Sequence, residues 1–290
     1  VADTGMEYTI AVTGSTGVVG GSVARILAAE GVPLVLPVRS PDRAQHLPES
    51  VVRQASYDDA AASREALAGV DVLFMVSAAE AEDRLASHRT FIDAAQEAGV
   101  RHIVYTSFLG AAPEAAFLLG RDHWYTEEHI RRSGLAWTFL RDNLYLDFVP
   151  ALAEDGVIRG PAGDGRLSAV AQADVARSAA AVLRAPDDHA RKTYQLTGPE
   201  AFTLAEAAAT ISEVTPATVR FEDQTHEEAM ASRAHHGAPR WQVEAWVSTY
   251  TAIARGEMAE VTDDVEQLTG RPPVGLRALL SARHPGGARA

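Results

Sequence analysis

The stretch Tyr8-Thr-Ile-Ala-Val-Thr-Gly-Ser-Thr-Gly-Val-Val-Gly20 decides the fold of this 290-residue chain. Tyr8–Thr13 is a β-branched, apolar run that reads as a buried strand. Glycines follow at 14, 17 and 20, and an alanine-rich helical stretch then runs through Glu30. Strand, glycine loop and helix in that order form a phosphate-cradling unit. Gly14 permits the tight turn, Gly17 lets backbone approach a bound group, and Gly20 lets the helix pack closely on the strand. The helix N-terminus adds unpaired N–H groups and the positive end of its dipole.

Outward from the loop, short apolar strands alternate with helices. Strands are expected at Pro33–Val38, Val51–Ala55, Val72–Val76, His102–Thr106 and Ala136–Leu140, with helices over 60–69, 84–99 and 122–134 between them. Near-continuous apolar strands separated by helices predict an α/β fold, a doubly wound parallel (Rossmann) sheet covered on both faces. Ligands of such sheets bind at the carboxyl ends of the strands. The second half changes rhythm, with helices expected over 174–183, 203–214, 240–256 and 261–270 and a strand over 192–196. Thr203 followed by Glu206 is a capping box. The expected division is a dinucleotide-binding domain over 6–150, its sheet completed from within 151–200. A smaller, interleaved C-terminal α/β lobe over 151–283 closes over the substrate cleft, and the tail 284–290 is expected to be disordered.

Composition narrows the function. The formal charge is −13 with only 26 Lys and Arg, which argues against a nucleic-acid partner. No cysteine is present, excluding disulfides, thiolate metal sites and cysteine nucleophiles. No apolar run approaches the roughly twenty residues of a membrane span. The first residues do not resemble a signal peptide, so a soluble cytoplasmic protein is expected. Met6 reads as a native start if residues 1–5 are an added extension; both origins stay open. His235-His236 lacks a third ligand at suitable sequence spacing, and no metal site is expected. Asp58-Asp59 and Asp263-Asp264 read as helix N-terminal acids.

The residue that selects the cofactor follows the second strand. An NAD-preferring loop places an acid there, roughly 20 residues on, to accept from the ribose 2′-OH. This chain instead has Val38-Arg39-Ser40, and a guanidinium suits a 2′-phosphate. Arg39, with Arg43 as a second charge, therefore points to NADPH. The expected contacts of the cofactor are Gly14, Ser15, Thr16, Gly17, Val18 and Val19 in the loop. Tyr57 and Asp58 are expected to flank adenine, Ser77 to lie beside ribose and pyrophosphate, and Ser107 to reach the nicotinamide. Phe108, Asn143 and Tyr145 follow strand ends and are candidates for the substrate. For each of these, end-of-strand packing is the alternative reading.

Several motifs together resemble the atypical short-chain dehydrogenase/reductases of the NmrA-like family: Thr13–Gly20, Val38-Arg39-Ser40-Pro41, His102–Ser107, Thr126-Glu127, Thr138–Arg141 with Tyr145, Lys192–Leu196 and Thr269–Pro272. The resemblance spans Tyr8 to Ser281 and is strongest to its bacterial NADPH-dependent quinone oxidoreductases and triphenylmethane reductases. It implies hydride transfer from NADPH to a small conjugated acceptor such as a quinone, by a monomer or homodimer. The resemblance also exposes a departure. With Glu127 aligned on the family's acidic residue, Leu119 and His123 occupy the places of the usual catalytic Tyr and Lys. His123 is then the candidate for contacting the nicotinamide ribose and relaying a proton, with Tyr145 as a second catalytic candidate. Tyr125 and His129 share the four-residue spacing but lie out of phase. Asp142 stands where relatives more often carry Asn. Quinones and cationic dyes accept hydride without a simultaneous enzyme acid, which keeps the reductase expectation compatible with that loss. Two other readings stay open: an NADP(H)-binding redox sensor without turnover, and a reductase or isomerase of secondary metabolism.

Overall fold

The computed structural model describes residues 8–284. The readings offered for residues 1–5 and for the tail beyond 284 fall outside them. The first half alternates as the apolar pattern predicts: β1 (Ile10–Val12), α1 (Val18–Ala29), β2 (Leu34–Val38), β3 (Ser50–Gln54), α2 (Ala60–Ala66), β4 (Val72–Met75), α3 (Arg84–Glu97), β5 (His102–Phe108), α4 (Leu118–Arg132) and β6 (Ala136–Asp142). Every residue of β1, β2 and β4 is buried, as a sheet covered on both faces requires.

The second half runs β7 (Ala153–Glu154), β8 (Val157–Gly160), β9 (Arg166–Leu167), α5 (Gln172–Arg184), β10 (Lys192–Leu196), β11 (Phe202–Thr203), α6 (Leu204–Val214), β12 (Arg220–Asp223), α7 (His226–Ser232), α8 (Arg240–Ala254), α9 (Asp264–Thr269) and α10 (Leu276–Arg283). Seven strands form one sheet in the order β10-β6-β5-β4-β1-β2-β3. Ile10 pairs in parallel with Leu34 on one side and with Val72 on the other. The order therefore reverses at β1, between β4 and β2, which is the switch point of a doubly wound sheet. Smaller sheets in the second half are β12-β8-β7 and β11-β9.

Two compact units share the chain. Of the described residues, the first comprises those up to 107, 124–141 and 175–194, and the second 108–123, 142–174 and those from 195 on. Within the first, Leu73, Met75, Phe91, Ile92, Ile103, Tyr105 and Phe139 form the centre of a buried cluster. Within the second, Leu146, Ile158, Leu167, Leu204, Ile211 and Ile253 do the same.

Several boundaries move. α4 begins at Leu118 rather than Asp122, with Gly120 inside it. Gly120 stands in the first turn of α4 and reads in sequence as punctuation. The helix expected over 261–270 shortens to Asp264–Thr269, ending on Gly270 at φ 66°. β7, β8, β9, β11, β12, α7 and α10 were not foreseen. Strands of two to four residues carry too little alternation to be read, and α7 has only seven residues.

Candidate functional site

The glycine loop sits at the switch point. Gly14 has φ 63°, a left-handed conformation that a side chain would strain. A Cβ on Gly20 would lie 2.4 Å from the Thr13 carbonyl oxygen and 2.5 Å from that of Gly14, so only glycine lets α1 approach β1 this closely. Gly17 forms the N-cap of α1 with no side-chain cap, and the first turn carries no acid. Gly14, Thr16, Gly17 and Val18 are exposed, whereas Ser15 and Val19 are buried. Ser15 Oγ is buried without a hydrogen-bond partner among the described residues. Free helix N–H groups, no competing carboxylate and an unused hydroxyl fit the pyrophosphate of a dinucleotide.

Beside this loop, the chain leaving β4 is pinned from several sides. Thr13 Oγ1 accepts from Val76 N (2.9 Å), and Thr106 Oγ1 accepts from Ser77 N (2.8 Å). The Tyr57 hydroxyl donates to the Val76 carbonyl (2.6 Å) and lies 2.7 Å from Thr13 Oγ1. Its ring stacks on Phe91 at 4.2 Å, and burial pushes its phenol well above the ordinary range. Tyr57 thus braces the loop with its hydroxyl. His88, which the sequence did not single out, accepts from Ala78 N at Nε2 (2.9 Å). Its Nδ1 therefore carries the proton and faces Thr126 Oγ1 at 2.9 Å. Burial, with the charge of Arg84 second, pulls the His88 pKa down to about 3.

Arg39 and Arg43, both exposed, follow β2. The Arg39 guanidinium makes no hydrogen bond or ion pair among the described residues; only its carbonyl is engaged, by Gln54 at 3.4 Å. It lines an open cavity of about 730 Å³ with Arg53, Gln54, Ser56, Asp59 and Glu65. Asp58 accepts from the Ser56 hydroxyl, which with a backbone hydrogen bond and the Arg39 charge holds its carboxyl below the usual range. Asp59 caps α2 by accepting from Ala62 N.

Ser107, at the end of β5, turns its hydroxyl to Glu127 Oε1 at 2.5 Å. Glu127 is fully buried and also receives Arg141 through two hydrogen bonds (2.8 and 2.7 Å) and Arg131 through one (3.0 Å). Sequence placed Ser107 and Glu127 separately; the structure joins them in one charged network. On the same helix, Tyr125 is 40% exposed, and His129 is engaged by Asp93 at 2.6 Å. Neither Tyr125 nor His129 contacts the other as a working pair would.

The remaining candidates belong to the second unit. His123 is buried, with its ring 5.9 Å from that of Phe108. Asn143 spends its amide internally: Nδ2 donates to Ser168 Oγ (2.8 Å) and to the carbonyls of Met258 (3.0 Å) and Ser168 (3.1 Å), and Oδ1 accepts from Leu144 N. Tyr145 is half-buried, and its hydroxyl donates to Asp142 Oδ2 at 3.0 Å. Asp142 is the residue that stands where relatives more often carry Asn. Burial raises its pKa well above the carboxylate range, and burial together with Asp142 raises Tyr145. The carboxylate that sequence spacing does not show beside His235-His236 is Glu154, 3.1 Å from His235 Nε2; all three residues are exposed.

Comparison with known proteins agrees with this geometry. Residues 14–186 match a family model described as NAD(P)H-binding. The chain is 34% identical to quinone oxidoreductase 2 of Escherichia coli, covering 94% of this chain and 97% of that one. It is 36% identical to the (4-alkanoyl-5-oxo-2,5-dihydrofuran-3-yl)methyl phosphate reductase of Streptomyces griseus, covering 91% and 93%. The crystal structure of the E. coli NADPH-dependent quinone oxidoreductase in complex with NADPH superposes with a TM-score of 0.86 at 33% identity, covering 94% and 99%.

Proposed function

Since the chain belongs to the NAD(P)H-binding, NmrA-like family of atypical short-chain dehydrogenase/reductases, we propose that it is an NADPH-dependent reductase acting on a small conjugated acceptor, with quinones as the leading class. The observation that carries this reading is the uncapped glycine cradle together with the unpaired Arg39 guanidinium. NADPH, when bound, supplies a hydride and with it two electrons. Gly14–Val19 would hold its pyrophosphate through backbone N–H groups, and Arg39, with Arg43 near it, would hold the 2′-phosphate. Tyr57, Thr106 and His88 keep the loop after β4 in one conformation, so Ser77 would meet the cofactor without loop reordering. Tyr145 and His123 are the groups offered for proton transfer, and Phe108 for acceptor contact.

Leu119 and His123 in place of the usual Tyr and Lys favour one rival, a redox sensor that binds the dinucleotide without turnover. The decisive measurement is NADPH absorbance over time with a panel of small quinones and conjugated carbonyls. Acceptor-dependent oxidation is expected. Its absence across the panel, with tight cofactor binding, replaces the reductase reading with the sensor.

A further inference from the structure

Asp142, the last residue of β6, is only 3% exposed. Its Oδ2 meets the Tyr145 hydroxyl at 3.0 Å, while Oδ1 is buried with no hydrogen-bond partner among the described residues. Its backbone carbonyl accepts from Leu109 N at 2.8 Å. The adjacent Asn143 amide is spent on Ser168 and Met258. Among the described residues no cation pairs with Asp142. The charged group that bears on Tyr145 from the following turn is Asp147, itself held by Arg283 and by Gln172 N. A carboxylate with one phenol partner and no counter-charge is poorly tolerated in so dry a place, so the pair rests as a neutral acid beside a neutral phenol.

Such a pair holds two protons on adjacent groups. When the carboxyl O–H points at the phenolic oxygen, the phenol hydrogen is released to donate elsewhere. Tyr145 is half-buried, with its ring 5.6 Å from that of the exposed Phe148, and is the less buried residue of the pair. We propose that Asp142 and Tyr145 form a proton relay for a neutral, carbonyl-conjugated acceptor, with Tyr145 as donor and Asp142 as the reservoir acting through it. The proposal rests on the reductase reading. In balance, the acceptor gains a hydride, which carries both electrons, from NADPH, which becomes NADP⁺. Tyr145 gives its O–H proton to the acceptor oxygen, Asp142 gives its carboxyl proton to the phenolate so formed, and water reprotonates Asp142. Because tyrosinate beside Asp142 and Asp147 is disfavoured, both protons are in place at rest and the pair is poised to donate.

The test uses the full chain, Asp142→Asn and Tyr145→Phe with two acceptors. An α,β-unsaturated ketone needs a proton on oxygen after hydride arrives, whereas a cationic triarylmethane dye is neutralised by hydride alone. Removing a general acid costs on the order of a hundredfold, so the ratio of kcat on the enone to kcat on the dye should fall about a hundredfold in each variant. Infrared spectra at neutral pH should show a protonated-carboxyl stretch that Asp142→Asn abolishes, with or without turnover. A structural role would lower both acceptors in proportion; an unchanged ratio, or a missing carboxyl band, overturns the relay. A wild-type chain that shows the band yet reduces neither acceptor overturns the reductase reading and the relay's role with it.

Discussion

At the scale of single residues, the proposed cofactor site rests on Arg39 and Gly20, one by charge and the other by having no side chain. The Arg39 residue is exposed, and among the described residues its guanidinium makes no hydrogen bond or ion pair, bearing only by charge on Asp58. Hydrogen bonds to a charged group contribute about 1.5–3 kcal/mol. Arg39→Ala should therefore raise the NADPH dissociation constant roughly ten- to a hundredfold and leave that for NADH nearly unchanged, measured by titration calorimetry. Equal affinities for the two cofactors in the wild type would remove the argument. At Gly20 the missing Cβ lies 2.4 Å from backbone, which cannot step aside. Gly20→Ala should force α1 off β1, cost about 1–3 kcal/mol as overpacking does, lower the melting temperature and weaken NADPH binding. The close approach at Gly20 was legible in sequence, because glycine spacing after a strand states what the backbone requires, whereas the role of Arg39 is what the titration decides.

Elements show where that legibility ends. The capping box of α6 was readable from Thr203 and Glu206, and both of its hydrogen bonds form. Thr203→Ala should cost about 1 kcal/mol, checked by urea unfolding. The β8–β12 pairing was not readable: it joins Val157 to Arg220, and such strands show their partners only when folded. His88 was equally hidden. It lies on a largely polar helix, and its role depends on the loop after β4 folding back to meet it. Its buried state has a pH signature. The folded pKa is about 3, below the ordinary imidazole value of 6.5. The unfolded chain thus binds the proton first as pH falls. Stability from neutral His88 is complete above about pH 6.5 and declines below it, by up to about 1.4 kcal/mol per pH unit until pH approaches 3. His102, lowered to about 4 chiefly by burial, adds a second contribution of the same sign. Unfolding free energies at pH 7.5, 6 and 5 should fall accordingly. Replacing His88 with Asn should lower stability at pH 7.5 but flatten the slope.

For the whole molecule, sequence order and compact unit do not coincide. The chain passes from one unit to the other after residues 107, 123, 141, 174 and 194. No single cut releases either unit as a contiguous piece. A fragment ending at residue 150 would lack 175–194 and the edge strand β10, leaving β6 as an open edge of the sheet. Unpaired N–H and C=O groups along an apolar strand promote association. Such a fragment should therefore aggregate and bind no NADPH, even though it contains the whole glycine loop and Arg39. The full chain should gain RT ln(1 + [L]/Kd) from cofactor, about 2.7 kcal/mol at a hundred times Kd. That gain should appear as one melting transition moving upward with NADPH concentration, because the cofactor-binding unit is drawn from three separate stretches of chain. A soluble, NADPH-binding 1–150 fragment, or a second transition that NADPH leaves in place, would show that the first half folds independently of the later segments completing its sheet.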